Sequence, residues 1–165
     1  MKKIILLIIP IIVIALDQLT KQWITRNMEI GESNPVISNF FYITYHRNSG
    51  AAWGMLQGQM ALFYIITAIA VIGIIIWYKK LNFKTEWVLA IALMLVLGGA
   101  IGNFIDRLIY QSVIDFLHTI WWGYHFPIFN VADIALVIGA ILMGIDVLFL
   151  DRKKDKSTDL YFKTN

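Results

Sequence analysis

Nine polar residues in this sequence have types and spacings that could carry chemistry: Asp17, Lys21, Asn48, Asn103, Asp106, Arg107, Asp115, Asn130 and Asp133. Asp17 and Lys21 stand four apart, with the acid first, which puts a favourably ordered pair on one helix face. Its plainest reading is a structural ion pair. Asn103, Asp106 and Arg107 fall at i, i+3 and i+4 within GGAIGNFIDR, so an amide, a carboxylate and a guanidinium share one helical turn. Asn130 and Asp133 repeat the i, i+3 spacing in FNVADI, and Asp115 stands alone in VIDF. Two carboxylates that approach closely cannot both ionise and share a proton. One can then act as base on a water while the other donates to a scissile carbonyl, which hydrolyses a peptide without metal or covalent intermediate.

Other chemistries lack their residues. The chain has no cysteine, so disulfides, thiolate nucleophiles and Cys-ligated metals are excluded. None of its five serines lies in a G-x-S-x-G turn. His46, His118 and His125 form no H-E-x-x-H and supply no zinc ligand set, so they are read as interfacial histidines. No metal, no cofactor and no nucleic-acid partner is expected. Carboxylates remain, and the spacings alone do not choose which two of Asp106, Asp115 and Asp133 pair. NSGAAWG, from Asn48 through Gly50, joins an amide to small residues that let backbones come close; a tight turn explains it equally well.

These residues need a scaffold, and composition says where it sits. Of 165 residues, 59% are hydrophobic and 15% charged, against roughly 25% charged in a soluble domain. The mean hydropathy is +0.69. A chain this small cannot hide that much apolar surface from water. Crossing about 30 Å of hydrocarbon takes about 20 helical residues. Four stretches qualify: 4–22, 60–78, 87–105 and 127–150. The first begins like a signal peptide behind Lys2 and Lys3, but no small-residue cleavage site follows, so a retained span is expected. Helical rise from Pro127 places Asp133 about 9 Å into the fourth span, and Asp146 about 20 Å deeper, at the opposite interface.

With both termini in the cytoplasm, ten of the 14 Lys and Arg residues fall on the inner side. Residues 23–59 then form an outer segment too long for a connector. Its run FFYITYH reads as a strand, so a small sheet is expected at the outer surface. VIDFL reads as a second short strand, and the charged stretch 151–165 as a cytoplasmic tail. Residues 1–150 are expected to be one domain. Under this topology every costly polar group except Asp146 gathers at the outer end of one bundle, which a site explains better than a scaffold does. A proton-coupled transporter or channel is the alternative of another class. It should instead carry its acids along a path at the midplane.

Five ordered blocks, DQLTK from Asp17, NSGAAWG, GGAIGNFIDR, VIDF and FNVAD, resemble the lipoprotein signal peptidases (signal peptidase II), intramembrane aspartic peptidases of bacteria. The likeness runs from DQLTK to the end of the fourth span, with Trp53 at a position that is aromatic in the family. It implies a mainly α membrane protein: four transmembrane helices with a small extracytoplasmic β-sheet, or cradle, and a short outer helix. It implies that Asp115 and Asp133 are the catalytic dyad and that Asp106 supports neighbouring elements. Asn48, Gly50, Asn103, Arg107 and Asn130 would line the site, and Asp17 and Lys21 would support it. The implied reaction removes the signal peptide from diacylglyceryl-modified prolipoproteins, cutting N-terminal to the lipid-modified cysteine. Membrane lipid and cyclic peptide antibiotic inhibitors are implied partners, and the protein is expected to be a monomer in the bacterial cell membrane.

Overall fold

A computed structural model describes residues 2–50 and 55–150. The first apolar stretch is helical, as α1 (Lys2–Leu6) and α2 (Ile8–Asn27). The break at Leu7 precedes Pro10, which has no N–H to offer the carbonyl four residues back. Pro10, Val13, Asp17, Lys21 and Ile24 are the buried residues of α2. They recur at intervals of three and four, so the acid and base ride the same inward stripe as the apolar residues.

The segment after α2 folds into β1 (Ser33–Ile37) and β2 (Phe41–Asn48), joined by a turn at Asn39. Residues 51–54 lie outside the described residues, and residues 55–58 form turns. Then come α3 (Met60–Lys80) and α4 (Trp87–Tyr110), β3 (Val113–Trp121), β4 (Tyr124–His125) and α5 (Val131–Ile145). A π-helical turn, Asp146–Leu150, extends α5. Among the described residues, four helices are long and apolar enough to cross a membrane. The strands make one antiparallel sheet in the order β1-β2-β3-β4. VIDFL and FFYITYH are central partners in it, whereas β1 and β4 carry no strong sequence signal.

The central helix is α4, which packs against α2, α3 and α5. Its glycines set those distances. A Cβ on Gly98 or Gly102 would come within 2.8 Å of Val13 or 2.7 Å of the Asp17 carboxylate on α2. One on Gly99 would come within 2.5 Å of the Ala132 carbonyl at the start of α5. The Gly98–Gly102 spacing is thus a close-packing face, and it closes at the level of the acids. By contrast α3 is mostly exposed, with only Met60, Ile74 and Tyr78 buried.

Two apolar clusters bracket the polar residues. Ile74, Tyr78, Leu89, Leu93 and Leu97 fill the half of the bundle away from the sheet. Ile24, Met28, Tyr45, Ile114 and Phe116 seal α2 against the sheet. Asp146, at the end of α5 away from the sheet, is buried against the protein, 2% exposed.

Candidate active site

Two short connections bring the acids together. Helix α4 ends at Gln111, whose left-handed backbone (φ 55°) turns the chain so that β3 begins two residues later. Asp106 and Asp115 are therefore neighbours across one tight corner. On the other side, residues 127–130 do not join the helix. Phe129 bridges to Leu117 of β3 with backbone hydrogen bonds in both directions, 2.8 and 3.0 Å, and α5 starts only at Val131. Asp133 is thus the third residue of α5 and not a residue 9 Å inside it.

That position makes Asp133 half of a capping box. The Asn130 side chain accepts from the Asp133 N–H (3.0 Å), and Asp133 Oδ2 accepts from the Asn130 N–H (3.1 Å). Asp133 Oδ1 accepts from Asn103 Nδ2 at 2.8 Å. Asp115 is held on both oxygens, by Asn130 Nδ2 at 2.7 Å and by Asn48 Nδ2 at 3.0 Å. The register explains the second bond: His46 lies opposite Asp115 and Asn48 opposite Val113, so Asn48 reaches along the same face. Asn48 Oδ1 in turn accepts from the Gly50 N–H at 2.9 Å.

Arg107 reaches towards the carbonyls of Asn103 (3.3 Å) and Gly50 (3.4 Å), with its guanidinium 4.4 Å above the Phe63 ring. Its Nε is buried with no hydrogen-bond partner among the described residues. Deeper in, Lys21 Nζ lies 2.8 Å from carboxylate oxygens of both Asp17 and Asp106 and 3.0 Å from Asn103 Oδ1. The pair expected between Asp17 and Lys21 is present, as one edge of a larger cluster.

Asp115, Asp133, Asn48, Asn103 and Arg107 line one wall of an open cleft of about 790 Å³. Ile134, Val137 and Ile138 of α5 line another. Burial first, and then the neighbouring Asp133 carboxylate, push the Asp115 carboxyl up to about 7. A carboxylic acid that keeps its proton near neutrality, beside a second carboxylate, is the composition of an acid–base pair.

All the residues expected at the site fall within this one cluster, with Asp115 and Asp133 on the cleft and Asp17, Lys21 and Asp106 behind it. In NSGAAWG, Ala51, Ala52, Trp53 and Gly54 lie outside the described residues. The sequence reading missed Gln18, which donates to Asp106 (2.9 Å), Asp17 (3.2 Å) and the Gly102 carbonyl (3.2 Å). Its only signal was its place beside an intramembrane acid. The histidines also do more than sit at an interface: His46 and His125 border the cleft, and His118 Nε2 lies 3.0 Å from His125 Nδ1.

Known proteins resemble this chain along most of its length. The family described as signal peptidase (SPase) II matches residues 9–149. A lipoprotein signal peptidase of Bacillus pumilus (strain SAFR-032) is 55% identical over 151 residues, 92% of this chain and 96% of that protein. That of Bacillus subtilis (strain 168) is 51% identical over 148 residues, 90% of this chain and 96% of that protein. A solved bacterial membrane enzyme, determined by the in meso method at 2.3 Å, superposes with a TM-score of 0.82 at 44% identity. The match covers 93% of this chain and 90% of that one. Sequence, fold and the shared length agree, and the chain belongs to the signal peptidase II family.

Proposed function

We propose that this protein removes the signal peptide from diacylglyceryl-modified bacterial prolipoproteins, cutting N-terminal to the lipid-modified cysteine, with Asp115 and Asp133 as its catalytic dyad. One observation carries the assignment: a strand and a helix each present a carboxylate to the same cleft, and Asn130 hydrogen-bonds to both. Asp106 is the weaker candidate, because it is turned away into the Lys21 cluster.

The pair shares one proton, and its titration belongs to both groups. In the reaction Asp115 is the partner that carries that proton and Asp133 is the base. Asp133 takes a proton from water as the water oxygen attacks the scissile carbonyl carbon. Asp115 gives its proton to the carbonyl oxygen. The tetrahedral diol then collapses: the C–N bond breaks, Asp133 gives its proton to the cysteine nitrogen, Asp115 recovers one from a diol hydroxyl, and the new carboxyl end leaves with the signal peptide. Positioning and proton transfer supply the rate.

The apolar wall suits the lipid on the substrate cysteine. Ile134, Val137 and Ile138 are exposed on the bundle surface, so acyl chains can lie along α5 while the cysteine reaches the dyad. The distribution of basic residues supports an outward-facing sheet end: Lys79 and Lys80 close α3 at the other end. Both termini are then cytoplasmic and the site faces outward, where lipid-anchored substrates and cyclic peptide antibiotics meet it. One bundle holds the whole cluster, so a monomer suffices.

The test is cleavage of a diacylglyceryl-modified prolipoprotein by wild type, Asp115→Asn and Asp133→Asn, with an unlipidated copy and a chelator as controls. Lipid-dependent, chelator-resistant cleavage that falls by about 10²–10⁴-fold in each variant is the expected result. A folded wild type that cleaves nothing sinks the reading. Activity surviving in one variant moves the dyad to Asp106.

A further inference from the structure

Lys21 is 1% exposed and touches neither the cleft nor, directly, either dyad carboxylate. Its ammonium has three protons and finds three acceptors: Asp17 Oδ2 and Asp106 Oδ2 at 2.8 Å, and Asn103 Oδ1 at 3.0 Å. What those three acceptors do next is not random. The other oxygen of Asp17 accepts from the backbone N–H of Ala132 at 2.9 Å. Asp106 Oδ2 accepts from the backbone N–H of Ile114 at 3.0 Å. Ala132 and Ile114 are the residues immediately before Asp133 and Asp115. The third acceptor, Asn103, turns its Nδ2 to Asp133 Oδ1 at 2.8 Å.

We propose that Lys21 is a positioning residue for the dyad. It anchors the backbone leading into both aspartates through Asp17 and Asp106, and it sets the direction of the Asn103 amide that donates to Asp133. Asn103 Oδ1 accepts from Lys21 and from Asn130 Nδ2, both at 3.0 Å, so both its lone pairs are used. A flipped amide would press its NH₂ group against an ammonium and a second amide donor. The ammonium therefore holds the one orientation that offers a proton donor to Asp133. A bystander ion pair between two helices would need none of this: it could be replaced by well-packed apolar residues at little cost. The charged and titratable groups that interact with Lys21 are Asp17 on its own helix, Asp106 on α4, Asp115 on β3 and Asp133 on α5.

The inference rests on the proposed peptidase activity, so the test reads both. Removing Lys21 alone strands two buried carboxylates and endangers folding. The double variant Lys21→Met/Asp106→Asn keeps the net charge of the cluster, and its new amide oxygen still accepts from Ile114. Lys21→Met/Asp17→Asn is the second charge-matched variant. Each is purified in detergent and compared with wild type in thermal midpoint, KM and kcat on the lipidated substrate, and again in an Asn103→Ala background. The expected result is a folded protein with KM within about threefold of wild type and kcat lower by about 30-fold or more. In the Asn103→Ala background the same change should cost at least about threefold less than in the wild-type background, because one of the two routes by which Lys21 acts, the amide, is already removed. Losses that multiply across the two backgrounds overturn the proposal, as does a folded double variant with near-wild-type kcat. Loss of folded protein in both charge-matched variants overturns it too, by making Lys21 a purely structural residue. A wild type that cleaves nothing fails the peptidase reading instead, and the two failures are distinguishable.

Discussion

Asn130 donates its side-chain amide to Asp115 Oδ1 at 2.7 Å while exchanging cap hydrogen bonds with Asp133. One residue thus performs two tasks with separate atoms: its oxygen starts α5, and its NH₂ group holds the facing carboxylate. The spacing of the two carboxylates depends on a helix cap.

The two tasks can be separated. Asn130→Ser keeps a capping oxygen for the Asp133 N–H but is too short to donate to Asp115. It should fold with a near-normal thermal midpoint and lose activity by about 100-fold. Asn130→Ala should lose activity and also about 1 kcal/mol of stability, because the cap goes with the amide. Unfolding in detergent beside cleavage assays of both variants checks this.

The pH dependence follows from Asp115. An exposed carboxyl titrates near about 4, whereas folding holds this one up to about 7, so the native state binds more proton between those values. The contribution is favourable below the unfolded value and is lost as pH rises through the folded one. Wild type should therefore lose stability from about pH 4 to about pH 7, and Asp115→Asn should flatten that slope. Activity should decline on the alkaline side near the same upper value, as the shared proton leaves. Thermal midpoints and kcat measured across this range test both statements.

Helix contact at the acids should be intolerant of one carbon. Gly102→Ala would put a Cβ 2.7 Å from the Asp17 carboxylate, and Gly99→Ala one 2.5 Å from the Ala132 carbonyl. Each should cost about 1–3 kcal/mol and shift the dyad enough to cut activity. Gly73→Ala on α3 meets nothing within 4 Å and should be neutral or slightly stabilising. Equal behaviour of all three would contradict the packing described.

Arg107 spans from the Asn103 carbonyl to the Gly50 carbonyl while stacked on Phe63. A lysine cannot fork or stack in this way. Arg107→Lys should loosen the turn after Asn48 and raise KM by about tenfold with a smaller effect on kcat. Steady-state kinetics on the lipidated substrate separate the two parameters.

Much of the site could be read before any coordinates. Carboxylates are so costly near lipid that Asp17, Asp106, Asp115 and Asp133 announced themselves, and short-range spacing put Asn103 beside Asp106. What could not be read was long-range. Lys21 reaches Asn103 and Asp106 across more than 80 residues of sequence, and nothing in DQLTK says that its partner Asp17 is shared. The expected start of the fourth span lies too early because residues 127–129 are as apolar as a helix, yet pair with β3 through Phe129 and Leu117. Gln18 was not singled out because an amide on a helix has no local signature of burial.

The apolar wall of the cleft is also part of the bundle's outside: Val137 is 58% exposed and Ile138 45%. A catalyst built this way would meet a lipid-anchored substrate by diffusion in two dimensions. The concentration that matters is then a mole fraction in the bilayer, not molarity in the bulk. Diluting the substrate with inert lipid should slow turnover at constant bulk concentration, and adding buffer volume should not.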